Sequence, residues 1–122
     1  MIEKELKEAE YDLGRAKHAF EEEDYKWCIV KSYYSMFHAS KAIVFSVGYK
    51  ERRHFAIQVV LENLVKGGKL ENIYTQYFSS AMSAREGVDY RYVYSGETAK
   101  EMLEIAKKFL ARMKKLLVIR PL

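Results

Sequence analysis

The sequence predicts an all-α fold, an up-and-down bundle of four long helices and one short helix, on three observations. Apolar residues recur at steps of three and four along several long segments, as they do on one face of a helix. The single Pro of the chain is Pro121, so nothing before it forbids long uninterrupted helices. Gly residues mark several ends of the periodic segments. The 122 residues suit one domain, and we expect residues 1–122 to form it.

The first two helices are predicted from an apolar stripe and a long apolar segment. The stripe of the first helix consists of Ile2, Leu6, Ala9, Leu13, Ala16 and Phe20. Asp24 is a candidate N-cap for the second helix, about residues 25–47, which is apolar around most of its circumference and is expected to be central. A seam of small residues on this helix should let another helix come close, either the fourth helix or a helix of a second copy. Its members are Ser32, Ser35, Ala39, Ala42 and Ser46.

The remaining helices are predicted from their stop signals and apolar faces. The third helix should cover about residues 52–65 and end before Gly67 and Gly68. The fourth helix should cover about residues 70–86 and end at Gly87. The apolar face of the fourth helix is predicted to be Ile73, Tyr77, Ala81 and Ala84. After a connector rich in aromatic residues, the fifth helix should begin with a capping box from Thr98 to Glu101. Its predicted core stripe is Met102, Ile105, Phe109, Met113 and Leu116.

Composition and charge restrict the partners and the location. The formal net charge is +4, but Lys and Arg are interleaved with Glu along the chain, so no dedicated nucleic-acid tail is visible. This balance permits a phosphate-bearing partner without requiring one. No stretch approaches the roughly 20 apolar residues of a membrane span, and the acidic N-terminus lacks the apolar core of a signal peptide. We therefore expect a cytoplasmic protein without a membrane association.

Metal and cofactor chemistry finds little support in the sequence. The three His residues, His18, His38 and His54, are irregularly spaced, and His38 is interpreted as a core or interface histidine whose hydrogen bonds are satisfied. Cys28 is isolated in an apolar helical segment and is interpreted as a buried, reduced thiol. Neither a glycine-rich phosphate loop nor a G-x-S-x-G elbow is present. We expect no metal and no cofactor.

Two clusters of Arg and aromatic residues are candidate sites. Residues 85–94 combine arginines, carboxylates and tyrosines: Arg85, Glu86, Asp89, Tyr90, Arg91, Tyr92 and Tyr94. Guanidinium groups bind phosphate as a fork and Tyr rings stack on bases, so the segment suits a nucleotide or an RNA end. In the alternative, Arg85 pairs with Asp89 while the tyrosines pack in the bundle. A second run, Arg52, Arg53 and His54, faces either an anionic ligand or solvent.

Several of these segments together resemble a known family. Residues 33–42, YYSMFHASKA, are similar to the Y-Y-x-x-F-H-A-x-K-A helix of the HEPN family, and residues 85–90, REGVDY, resemble its R-E-x-x-D-Y signature. The first helix contributes YDLGRA at residues 11–16, and Gly48 and His54 fall where stand-alone members have a Gly and then a His. The similarity covers about residues 8–117.

This resemblance implies a usually dimeric bundle of four long helices and a short one. Many relatives are encoded beside a small nucleotidyltransferase and form toxin–antitoxin pairs with it. Nuclease members use an R-x4-6-H motif, and two copies of it meet across the dimer to cut RNA without metal. In some paired toxins the motif extends to R-x4-H-x-Y, and the partner enzyme modifies its Tyr.

The resemblance places Arg85 at the Arg position and Tyr92 at the final Tyr position, whereas Tyr90 stands where the family has its His. An unperturbed Tyr titrates near pH 10 and is a poor general base, while a His exchanges protons near neutral pH. Arg85 and Tyr90 are therefore the catalytic candidates, but self-sufficient RNA cleavage is not expected. Tyr92 is the candidate for modification. The candidate phosphate-binding residues are Arg85, Asp89, Arg91, Arg52, Arg53 and His54.

Three hypotheses follow for the function. The first is a dimeric module that associates with a nucleotidyltransferase and binds a nucleotide or RNA phosphate near Arg85. The second is a metal-independent ribonuclease in which Tyr90 or His38 takes the role of the missing His. The third is a purely structural dimer.

Overall fold

The computed structural model describes residues 1–48, 54–92 and 94–119, and this part of the chain forms five α-helices and no strand. In chain order they are α1 (Ile2–Glu21), α2 (Tyr25–Ser46), α3 (His54–Lys66), α4 (Ile73–Arg91) and α5 (Gly96–Ile119). Four helices have 19 to 24 residues and α3 has 13, which confirms the predicted all-α bundle of four long helices and one short helix. None of the described helices has the length and apolar character that a membrane span requires.

α1 and α2 form an antiparallel pair joined by a tight turn. Glu23 in this turn has a φ of 59°, and Asp24 caps α2, its carboxylate accepting a hydrogen bond from the backbone N–H of Trp27 at 3.1 Å. Asp24 was the predicted N-cap, and the prediction is confirmed. The cap satisfies one of the backbone donors that the first turn of a helix leaves without a partner.

The seam of small residues on α2 is used inside the chain. Ser32, Ser35, Ala39 and Ala42 are fully buried, and the hydroxyl of Ser35 donates to the backbone carbonyl of Ala9 on α1 at 2.8 Å. The seam is therefore buried within one chain, so the prediction that it meets a second copy is wrong, and at Ser35 the helix that it contacts is α1. Small side chains on both helices explain the close approach, since Ala9 and Ala16 of α1 are also fully buried.

Aromatic rings join α2, α4 and α5 in the centre of the bundle. Tyr33, Phe78 and Phe109 are fully buried, and the ring centre of Phe78 lies 6.1 Å from that of Tyr33 and 6.2 Å from that of Phe109. The predicted stripe of α5 is confirmed, because Met102, Phe109, Met113 and Leu116 are buried. The predicted face of α4 is only partly correct. Ile73 is exposed, whereas Phe78 and Val88, which were not in the predicted face, are buried in the core with Ala81.

α4 continues past the residue that was predicted to end it. Gly87 lies inside the helix and is buried, and α4 continues to Arg91. Tyr92 caps the helix, with a left-handed φ of 53°, and donates its backbone N–H to the carbonyl of Gly87. A Gly inside a helix costs about 1 kcal/mol relative to Ala. The burial of the next residue, Val88, offsets that cost, so tertiary packing overrides the local preference.

α5 begins earlier than the predicted capping box. The hydroxyl oxygen of Ser95 accepts a hydrogen bond from the backbone N–H of Thr98 at 3.1 Å, so Ser95 caps the helix and Thr98 lies inside it. The first residue, Gly96, faces the ring of Tyr25, and a Cβ there would lie 3.0 Å from that ring. A larger residue at this position would therefore have to displace the Tyr25 ring.

Candidate functional site

Arg85 packs on two aromatic rings of α2. Its guanidinium carbon lies 4.7 Å from the ring centre of Tyr34 and 5.4 Å from that of Tyr33. Arg85 reaches them because it lies one helical turn before the buried Val88, on the side of α4 next to α2. A cation above an aromatic face is attracted by the negative charge of that face. The side chain remains 32% exposed, so α2 positions a charged group that a ligand can still reach.

Asp89 lies one turn along α4 from Arg85 and pairs with it. The Oδ2 atom of Asp89 is 3.4 Å from Nε of Arg85, which confirms the interpretation that these two residues form an ion pair. The alignment is poor, however. Nε of Arg85 is buried and lacks a properly oriented hydrogen-bond acceptor among the described residues. A buried donor in this state is unusual, because most such groups find a partner in folded proteins.

An open cleft of about 260 Å³ surrounds this pair. Its lining consists of Tyr33, Met82, Arg85, Glu86, Asp89 and Tyr90. One guanidinium and two carboxylates face the same space, so the formal charge of the lining is negative although it contains the arginine. The cleft therefore combines a phosphate-binding group with charges that oppose an anion.

Tyr33 forms the buried wall of this cleft. Burial raises the pKa of its hydroxyl to about 12, although the nearby Arg85 acts in the opposite direction and favours the ionised form. The hydroxyl is therefore protonated at neutral pH. It can act as a hydrogen-bond donor or acceptor in the cleft, but not as a base.

The outer tyrosines of the segment are mostly in solvent. Tyr90 is 79% exposed and Tyr92 is 75% exposed, so the alternative in which they pack in the bundle is wrong for these two residues. Arg91 is exposed on the last turn of α4, next to Tyr92. The structure brings Arg85, Asp89 and Tyr90 into one cleft and places Arg91 and Tyr92 just beyond it, at the end of the helix.

The other predicted anion-binding run cannot be placed with these residues. Arg52 and Arg53 lie outside the described residues, and His54 is described only as the first residue of α3. Their part in anion binding stays a prediction.

A second polar cluster joins α1 to α2. Nδ1 of His38 lies 2.7 Å from Oε1 of Glu5, and Nε2 of the same ring lies 3.7 Å from Oδ2 of Asp12. Lys41 is 3.1 Å from the other oxygen of Glu5, and Lys31 is 3.2 Å from Asp12. Burial raises the pKa of Glu5, but the hydrogen bonds and charges of His38 and Lys41 outweigh it, so the pKa falls below its usual value of 4.5.

These contacts settle the environment of His38. Both of its ring nitrogens face carboxylates of α1, which confirms the interpretation of a satisfied interface histidine. Arg85, in contrast, packs on Tyr33 and Tyr34 and pairs within α4. Tyr90, which stands at the position of the family's His, lines the same cleft as Arg85, whereas His38 does not.

Cys28 behaves as predicted. It is fully buried, its thiol lies 3.7 Å from the carbonyl oxygen of Ala99, and burial raises its pKa to about 11. Within residues 1–48, 54–92 and 94–119, no group of three or more His, Cys, Asp or Glu side chains is arranged to hold a metal ion.

Sequence reasoning missed the contribution of Tyr33 and Tyr34 to the site. They lie about fifty residues before Arg85 in the chain, and only the packing of α2 on α4 brings them together. The sequence signal for this contribution was the adjacent pair Tyr33 and Tyr34 in the helix that resembles the family pattern. The structure shows that the first is buried and the second half-buried.

Proteins with related sequences come from archaea. "Putative toxin MJ0605" of Methanocaldococcus jannaschii is 29% identical over 111 residues, which is 89% of this chain and 83% of that protein. "Putative toxin MJ0142" of the same organism is 25% identical over 120 residues, or 96% of this chain and 82% of that protein. "UPF0332 protein PH1297" of Pyrococcus horikoshii is 32% identical over 83 residues, which cover 67% of this chain and 58% of that protein.

The fold and the sequence agree on the family. The five helices form the bundle that the resemblance implied, and α4 carries its Arg in a cleft against α2. The model of the HEPN domain matches residues 2–116, nearly the whole chain. This chain belongs to the HEPN family.

Proposed function

We propose that this protein is a HEPN module of the toxin type that binds a phosphate group of a nucleotide or RNA through Arg85. One observation carries the proposal: a partly exposed guanidinium, held by two aromatic rings, lies in an open cleft. The names of the two Methanocaldococcus relatives support the toxin class.

Arg85 suits a phosphate for two physical reasons. Its side chain has lost much of its rotational freedom on the rings of Tyr33 and Tyr34, so binding an anion costs less entropy than it would for a free surface Arg. A guanidinium also offers two parallel N–H groups, which match the spacing of two phosphate oxygens. Tyr90, exposed at the mouth of the cleft, offers a ring on which a base can stack.

Cleavage of RNA by this chain alone is the second candidate function, and the position of Tyr90 in the same cleft as Arg85 favours it. The chemistry opposes it, because a Tyr hydroxyl is a poor general base and does not replace a His in that role. We therefore propose binding, with feeble cleavage at most.

The proposed module is a homodimer and associates with a small nucleotidyltransferase. Exposed aromatic side chains support a protein interface, since such residues are enriched where proteins meet. They are Tyr11, Trp27, Tyr90, Tyr92 and Tyr94.

Sedimentation at micromolar concentration should give twice the chain mass of 14.4 kDa. A single species of the chain mass would exclude the homodimer.

Binding of a labelled short single-stranded RNA tests the role of Arg85. Replacing Arg85 by Gln should weaken the affinity at least about tenfold, because a charge-assisted hydrogen bond contributes roughly 1.5–3 kcal/mol. Arg15→Gln is the matched control, since it removes the same charge from an exposed position on α1 and should change the affinity less than about twofold. Equal effects of the two variants would contradict a specific site at Arg85.

A further inference from the structure

We propose that Asp89 is an internal competitor for Arg85, and that an anionic ligand binds by displacing the Asp89 carboxylate from the guanidinium. This inference rests on the proposed function, and it assigns a regulatory role to a residue of the same cleft. In the free protein the arginine is thus already engaged, and the ligand exchanges one anion for another.

The contact between the two residues is close enough to neutralise Arg85 and poor enough to break. The separation of 3.4 Å between Oδ2 of Asp89 and Nε of Arg85 is within the range of an ion pair. It does not give Nε a properly aligned hydrogen bond. Partly exposed pairs at a spacing of four residues on a helix contribute little to stability. Displacement of Asp89 therefore costs less than a well-aligned phosphate contact returns.

The arginine does not have to move in this exchange. Tyr33 and Tyr34 hold the guanidinium against α2, whereas the Asp89 side chain is 39% exposed on the last turns of α4. Rotation of the Asp89 side chain moves its carboxylate into water and leaves Nε of Arg85 open to the ligand. The same rotation in reverse closes the site when the ligand leaves.

The carboxylates also select the ligand. Glu86 lines the cleft together with Asp89, so an anion that enters meets repulsion from two negative charges. A small ion such as inorganic phosphate has only its charge to offset this repulsion. A nucleotide or an RNA end can in addition stack its base on the exposed ring of Tyr90. Asp89 thus favours ligands that combine a phosphate with an aromatic base.

The experiment compares the affinity for a labelled short single-stranded RNA among the wild type, Asp89→Asn, Glu86→Gln and the double variant Arg85→Gln/Asp89→Asn. Asp89→Asn should bind the RNA about fivefold more tightly, the upper end of what a partly exposed ion pair is worth. Glu86→Gln removes the same charge from the same cleft without removing the ion pair with Arg85, so it measures the general effect of charge, and its gain should be at most about twofold and clearly smaller than that of Asp89→Asn. The gain should vanish in the double variant. Circular dichroism checks that each variant retains its helices.

The outcomes separate this inference from the proposed function. Weaker binding in Arg85→Gln together with unchanged or weaker binding in Asp89→Asn would overturn the competition and leave the phosphate site intact. Equal gains in Asp89→Asn and Glu86→Gln would also overturn it, because general charge rather than the direct contact would then be responsible. A gain in Asp89→Asn that persists in the double variant would overturn both proposals, since the RNA would bind without Arg85.

Discussion

The guanidinium carbon of Arg85 lies 4.7 Å from the centre of the Tyr34 ring, which joins a charged residue of α4 to a half-buried aromatic residue of α2. The contact fixes where the guanidinium lies before any ligand arrives. It also links the two sequence segments that most resemble the family pattern, residues 33–42 and 85–90. The geometry thus gives both segments a shared physical role.

Replacement of Tyr34 tests whether its ring positions Arg85. Tyr34→Phe keeps the aromatic face and should leave RNA affinity within about twofold of the wild type. Tyr34→Leu removes it and should weaken binding about two- to fivefold, since a partly exposed cation–π contact contributes roughly 0.5–1 kcal/mol. Equal losses in both variants would point to the hydroxyl instead of the ring. Thermal unfolding of each variant separates a loss of affinity from a loss of stability.

Tyr90→His should raise RNA cleavage. The substitution restores an imidazole, which can exchange a proton near neutral pH, in the cleft that already contains Arg85. The assay follows the cleavage of labelled RNA in EDTA, and the double variant Tyr90→His/Arg85→Gln should lose the gain. Vigorous cleavage by the wild type that disappears in Arg85→Gln would instead establish the chain as a ribonuclease.

Tyr92 is the expected target of a partner nucleotidyltransferase. It is 75% exposed and caps the C-terminal end of α4 in a left-handed conformation, so an enzyme can reach its hydroxyl. Co-expression with such an enzyme should add the mass of AMP, and peptide mapping should place it on Tyr92. Tyr92→Phe should abolish the increase, and Tyr90→Phe should retain it. An increase that maps to Tyr90 or Tyr94 would show that the wrong tyrosine was assigned.

Glu5 should stabilise the fold at neutral pH and lose this effect in acid. Its pKa in the folded protein lies below the usual 4.5, so the stabilisation is present above that pH and disappears as the pH falls through the folded value. Glu5→Gln should lower the free energy of unfolding at pH 7 by about 1 kcal/mol, and the difference from the wild type should shrink between pH 5 and pH 3. Urea unfolding measures it. Glu3→Gln, on the same first turn but exposed, should change it little. A difference for Glu5→Gln that persisted in acid would contradict this linkage.

The sequence predicted the number, order and type of the helices because apolar periodicity reports which face is buried. It failed where packing between helices decides the outcome. Gly87 was predicted to end α4, but the burial of Val88 stabilises the helix beyond Gly87. Ser95 caps α5 in place of Thr98. The pairing of Arg85 with Asp89 could be predicted from the sequence because the two residues lie four positions apart in one helix. The contacts of Arg85 with the rings of Tyr33 and Tyr34 could not be predicted, because they depend on how α2 packs against α4.

NMR of the Nε–H group of Arg85 during addition of short single-stranded RNA tests directly whether a phosphate binds at this guanidinium. The resonance is identified by its absence from the spectrum of Arg85→Gln. We predict that the resonance moves in a saturable way, with the same affinity that the binding assay gives, because the phosphate replaces Asp89 beside Nε. A resonance that stays in place while the RNA binds would contradict the account and show that the phosphate lies elsewhere on the protein.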